Sequence, residues 1–183
     1  MTGASGSGGS SLVFDTMCLG HFARAERLDV LRDLVIDSAC WTTRVVVEEL
    51  RQGATRHPAL DETLVLDWVQ VAQLDTLGEI RCFVKWTKRV GPGDRDLGEA
   101  SVLAAAELRG GVAVTDDREA VRVGRAYGAR VHGTVWLLAG ACRDGKLTQG
   151  ATENLVEALR STGLRLPCTG PEFPQYARRH GLL

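Results

Sequence analysis

Short apolar runs alternate with helix-patterned stretches along this chain, and that alternation restricts its fold more than any single motif does. Leu12-Val13-Phe14, Ala39 to Trp41, Trp68 to Ala72, Val112-Ala113-Val114 and Ala129 to Val131 each read as a short strand. Between them a helical pattern runs from about Phe22 to Ile36, with Leu28, Leu31, Leu34 and Val35 at its apolar positions. Thr42 or Thr43 caps a second helix through Val45-Val46-Val47-Glu48-Glu49-Leu50 towards Gly53, although the valine run locally favours a strand. Ile80 to Val90 reads as a helix closed by a Gly91-Pro92-Gly93 turn. Asp96-Leu97-Gly98-Glu99 opens an alanine-rich helix to about Arg109, which Gly110-Gly111 stops, and Asp116-Asp117 starts another that ends near Gly128. Helices fill the remainder. Strands joined through helices pair in parallel and need cover on both faces. The expected fold is α/β: a three-layer sandwich with a central, mainly parallel, twisted sheet.

Residues 1–11 are dominated by Gly and Ser, with too little apolar surface to offset the entropy of ordering, and are expected to form a flexible tail. Residues 12–183 are expected to form one domain, since the chain of 183 residues suits a single core. A formal net charge of -1 lacks the strongly basic signature of proteins that coat nucleic acid, so a polyanion would have to meet a local patch. Cys18, Cys40, Cys82, Cys142 and Cys168 are odd in number and contain no C-x-x-C pair, which indicates neither a zinc site nor a disulfide framework. Reduced thiols, no membrane-length apolar run and no signal-peptide pattern give a cytoplasmic expectation.

The chemistry lies in the acids. In open parallel sheets the functional crevice lies beyond the carboxyl ends of the strands, which is where Asp15 and the Asp116-Asp117 pair fall. Glu49 shares a helical face with Val45 and Val46, and Glu99 sits in the first turn of its helix, so both can turn inward from neighbouring elements. Carboxylates crowded together raise one another's pKa unless a cation neutralises them, and magnesium suits an all-oxygen donor set. Each acid also has a plain structural role open to it. Asp96 with Glu99, and Asp116 with Glu119, have capping-box spacing, and Glu49 would be ordinary on an exposed helix face.

In their order and spacing, Leu12-Val13-Phe14-Asp15-Thr16, Val46-Val47-Glu48-Glu49-Leu50, Leu97-Gly98-Glu99-Ala100 and Val114-Thr115-Asp116-Asp117 resemble PIN domains, the fold that includes VapC-type toxins of bacterial toxin–antitoxin pairs. The similarity continues through Ala129 to Thr134 and Leu137-Leu138. The resemblance implies a Mg- or Mn-dependent ribonuclease that cleaves RNA phosphodiesters with an activated water. Asp15, Glu49, Glu99, Asp116 and Asp117 would form the site, and Asp15, Glu99, Asp116 and Asp117 would hold one metal or two. Glu49 is preferred to Glu48 because it precedes Leu50, as in the family pattern. The family's third acid is often an aspartate; here Gly98-Glu99 stands in its place, a variant of one branch.

Thr16 and Thr115 are candidates to hold a water or phosphate, while Arg118, Arg122 and Arg125 form a basic stripe suited either to RNA phosphates or to solvent. An antitoxin inserting a basic side chain among the acids, and a homodimer, are the partners the resemblance implies. The alternative is a catalytically inactive PIN-fold module that binds RNA or protein. A magnesium-dependent phosphatase is disfavoured because Met17 stands where a second aspartate would follow Asp15, and a receiver domain because no early acidic pair accompanies it. No G-x-x-x-x-G-K-[ST] loop is present, and His21, His57, His132 and His180 lack a nucleophile partner.

Overall fold

The computed structural model describes residues 11–91 and 96–183. Among these, β1 (Leu12–Phe14), β2 (Cys40–Thr43), β3 (Val69–Ala72), β4 (Val112–Val114) and β5 (Val131–His132) form one parallel sheet in the order β3-β2-β1-β4-β5. The helices are α1 (Thr16–Arg24), α2 (Leu28–Leu34), α3 (Arg44–Ala54), α4 (Leu77–Val90), α5 (Leu97–Leu108), α6 (Arg118–Ala126), α7 (Thr134–Arg143), α8 (Gln149–Ser161) and α9 (Phe173–Arg179), with a 3-10 helix at Pro58–Val65. The expected α/β three-layer sandwich is the fold observed.

The topology fixes where a site can form. The chain builds outward from β1 to β2 and β3, then returns to lay β4 on the other side of β1. Strand order reverses between β1 and β4, so the crossovers on either side of that point diverge and leave a crevice at their carboxyl ends. All residues of β1 and β4 are buried, as central strands covered on both faces must be. Alanine-rich α5 packs on β1, β2 and β4 and is buried almost all round, because small side chains let it lie close to the sheet. On α6, Gly124 is needed for close packing, since a Cβ there would meet Val131 and Leu103. Phe14, Phe22, Trp86 and Phe173 anchor the core; burying one such aromatic contributes about 2–3 kcal/mol.

The elements depart from the sequence reading in places, each for a local reason. The helix expected from Phe22 to Ile36 is two helices: α1 starts earlier, at Thr16, because Asp15 caps it, and the chain turns at Glu26, whose φ is +56°. Thr43 rather than Thr42 caps α3, and the valines join the helix; the Thr42 hydroxyl donates instead to the Phe14 carbonyl at 3.0 Å. Helix α4 starts at Leu77, because Thr76 and Glu79 form a capping box. Strand β5 falls at Val131–His132, since the Ala129 amide closes the end of α6 onto the Gly124 carbonyl. The Val112 amide donates to the Ser11 carbonyl at 2.8 Å; residues 1–10 of the expected tail, and Pro92 and Gly93 of the expected turn, lie outside the described residues. Among the described residues no helix is long and apolar enough to cross a membrane, and the five cysteines are unpaired.

Candidate active site

Asp15 and Asp116 are brought together by β1 and β4. The strands pair in register, Phe14 opposite Val114, and the Asp15 amide donates to the Val114 carbonyl at 3.2 Å, so both aspartates emerge from adjacent strand ends. Asp15 is only 4% exposed, and its carboxylate accepts from the Cys18 amide at 2.6 Å as the N-cap of α1. Asp116 accepts from the Thr134 amide at 2.9 Å and from its hydroxyl at 2.5 Å. Asp117 caps α6 through the Ala120 amide at 2.7 Å, while the Asp117 amide donates to the Thr115 hydroxyl at 3.1 Å.

The two glutamates arrive from the helices on one side. Glu49 on α3 accepts from the Thr16 hydroxyl and lies against the start of α5, where a Cβ on Gly98 would sit 2.5 Å from its Oε1. Only glycine at position 98 leaves room for Glu49 in this position. Glu48, one residue earlier, points outward and pairs with Arg51 at the surface. Buried between them, the Thr43 and Ser101 hydroxyls meet at 2.7 Å and tie the start of α3 to α5.

The electrostatics follow from crowding like charges away from water. Burial pushes the Asp15 carboxyl up to about 8; Thr115 and the Cys18 amide oppose this, and Asp116 and Glu99 add to it. Glu99 is pushed up to about 7, first by burial and further by Glu49, Asp117 and Asp96. Burial also raises Asp116 against the bonds from Thr134, and raises Glu49 against the bonds from Thr16 and Gly98. Among the described residues no lysine or arginine forms a salt bridge with any of the five acids.

An oxygen-only donor set of this kind fits a hard divalent cation. Among the described residues Glu99 Oε2 is buried with no hydrogen-bond partner, which leaves a lone pair that a cation or its water would satisfy. The acids do not form a ready-made cage: no three His, Cys, Asp or Glu side chains of the described residues stand in metal-binding geometry. Protein donors hold oxygens of Asp15, Glu49, Asp116 and Asp117, which suits an ion that keeps part of its water shell.

A family model described as DUF3368, PIN domain, matches residues 11–169. The chain belongs to the PIN-domain family. PIN domains are a nuclease-type fold, generally nucleases, and typically use divalent metals. The crystal structure of PAE2754 from Pyrobaculum aerophilum matches this chain with a TM-score of 0.51 at 20% identity, over 73% of this chain and 98% of that one, which shows the shared fold. No curated protein matches the chain.

Within this PIN domain the capping-box reading of the acids does not hold as written. Asp96 makes no side-chain cap, and the cap of α6 is Asp117 rather than Asp116, with Glu119 turned to Arg122. The hydroxyls of Thr16 and Thr115 are used on Glu49 and on the Asp117 backbone. Arg118, Arg122 and Arg125 are exposed on α6; Arg122 pairs with Glu119, and Arg125 donates to the Val131 carbonyl. Sequence reasoning missed Thr134. Its place just after Gly133, where the chain leaves β5 for α7, was the available signal: a Cβ on Gly133 would strike Asp116 Oδ1.

Proposed function

We propose that this protein is a Mg- or Mn-dependent endoribonuclease that hydrolyses RNA phosphodiesters, of the PIN branch with Gly98-Glu99 as its third acidic motif, and the toxin of a toxin–antitoxin pair. The observation that carries the reading is the cluster itself: Asp15, Glu99 and Asp116 lie at one end of the sheet with raised pKa values and no basic partner among the described residues. Structural carboxylates are ordinarily paired or exposed, so this arrangement is more easily understood as a site waiting for a cation.

In this reading residues 12–183 act as one unit, with Asp15, Glu99, Asp116 and Asp117 holding the metal. The bound ion supplies positive charge beside the scissile phosphate and a water of lowered pKa. Glu49, kept near the site by Thr16, orients the attacking water, and Thr134 fixes the carboxylate plane of Asp116. Arg118, at the start of α6 beside Asp117, and Arg122, one turn further on, contact RNA phosphates on either side of the cut. A cytoplasmic antitoxin, with a basic side chain inserted among the acids, and a second copy of this chain in a homodimer are the partners proposed for this role.

A second reading, an inactive PIN-fold module that binds RNA or protein, draws on one observation: protein donors already occupy oxygens of Asp15, Glu49, Asp116 and Asp117. Asp15→Asn separates the two. Cleavage of single-stranded and structured RNA, with and without manganese, should disappear in the variant while its circular dichroism is unchanged. Wild type without metal-dependent cleavage would end the nuclease reading.

A further inference from the structure

At the opposite end of the sheet, a cleft of about 330 Å³ opens between α4, the end of α5 and the turn before β5. Gly111, which immediately precedes β4, lies on its wall, whereas Asp116 follows that strand; five residues of extended chain put about 16 Å between them. The cleft is therefore separate from the acidic cluster, and its charge is opposite. Lys85 and Glu107 form an ion pair, and the Trp86 indole donates to the same carboxylate at 2.8 Å, so these charges cancel. Arg89 and Arg130 remain as an excess of positive charge.

The two arginines are prepared in different ways. The guanidinium of Arg89 lies 4.8 Å from the Trp86 ring centre and 4.1 Å from that of Tyr127. The two rings stand at 88° to each other, and their cation–π contacts hold the guanidinium without using its N–H groups, which leaves donors for an oxyanion. Arg130 gives one N–H to the Gly110 carbonyl, which steers the side chain over the cleft mouth and leaves the others available. Tyr127 is 55% exposed and sets an aromatic edge beside them. The volume exceeds what inorganic phosphate needs and lies at the lower end of small-molecule sites.

We propose that this cleft binds a nucleotide 5′-phosphate, with Arg89 and Arg130 on the phosphate and Tyr127 beside the sugar or base, either as a free mononucleotide or as the phosphorylated end of an RNA strand. The exposed Tyr127 ring and the compact cavity favour a nucleotide over an acidic peptide. Binding here does not depend on the nuclease reading.

The test uses the full-length Asp15→Asn protein in EDTA, so that cleavage does not intervene, and calorimetry with AMP, inorganic phosphate, and a hexaribonucleotide with or without a 5′-phosphate. AMP, or the phosphorylated hexamer, should bind at least tenfold more tightly than inorganic phosphate. AMP binding assigns the free nucleotide, and binding of the phosphorylated hexamer alone assigns the RNA end. Arg89→Met with Arg130→Gln should weaken binding about tenfold or more, and Tyr127→Ala, which also removes one of the rings that hold Arg89, should weaken AMP more than it weakens inorganic phosphate. Should the double variant fail to fold, exposed Arg130→Gln alone must still weaken binding severalfold. No nucleotide binding, binding untouched by these variants, or equal binding of a hexaglutamate peptide would overturn the assignment.

Discussion

The two ends of the sheet handle charge in opposite ways. At the amino end Lys85 and Glu107 pair at the surface, each about 40% exposed, and Arg89 and Arg130 find ring faces and a carbonyl. At the carboxyl end acids of one sign are buried together, and among the described residues Glu99 Oε2 has no partner. The first arrangement costs little to form and stabilises little. The second opposes folding unless protons or a cation relieve it, and a fold keeps such an arrangement at a working site. The contrast predicts that substitutions at the carboxyl end change activity greatly while relieving strain, and that those on surface pairs change little.

The largest effect belongs to Asp15→Asn. In the proposed nuclease this removes the central ligand and forfeits several kcal/mol of charge stabilisation, so RNA cleavage in manganese should fall about a thousandfold or more. The metal-free variant should also melt no lower than wild type at pH 8, because the amide needs no charge desolvated. A lower melting temperature would mean that the cap on α1 outweighs the buried charge.

Next comes pH. Asp15 and Glu99 have folded pKa values of about 8 and about 7, above their ordinary values of 3.8 and 4.5, so the folded state binds more protons than the unfolded. Their contribution to stability is complete below about pH 4 and is lost as the pH climbs through 7 to 8. In EDTA the melting temperature should fall between pH 5 and pH 9 by on the order of 10 °C or more. Magnesium or manganese should restore it at pH 8 and do little at pH 5, and Asp15→Asn should flatten the profile. Stability that rises with pH in EDTA would remove the premise of a proton-relieved cluster.

Thr134 tests whether the protein holds its ligands deliberately. Thr134→Ala deletes one of the two bonds to Asp116 and should weaken manganese binding about 10–100-fold, as losing an outer-shell partner does, while Thr134→Ser restores it. Equal manganese affinity in the alanine and serine variants would mean that the backbone amide alone sets Asp116.

How much of this was legible follows from the range of each interaction. Asp15 and Asp116 stood out because strand ends are local features and acids there are conspicuous. The role of Thr134 did not, since its bond crosses from the end of β5 to the end of β4 and the one local mark was the glycine before it, Gly133. The α1–α2 break was hidden for a related reason: Glu26 takes a left-handed backbone that no glycine announces. The 3-10 helix at Pro58–Val65 lacks the period that betrays an α-helix. The amino-end cleft assembles from α4, α5, α6 and β5, and its residues look like ordinary surface charges until those elements pack.

The smallest effect is expected between neighbours. Glu48 and Glu49 differ by about 100° around α3, so one pairs with Arg51 in water and the other is pressed against Gly98. An exposed i,i+3 pair is worth about 0.3–0.5 kcal/mol, so Glu48→Gln should shift the melting temperature by about 1 °C and leave cleavage within about twofold. Glu49→Gln should lower kcat at least tenfold without raising KM for RNA, because its carboxylate is assigned to the water rather than to substrate binding. If Glu48→Gln cost as much activity as Glu49→Gln, the rotation of α3 against α5 would differ from the one that places Glu49 beside the site.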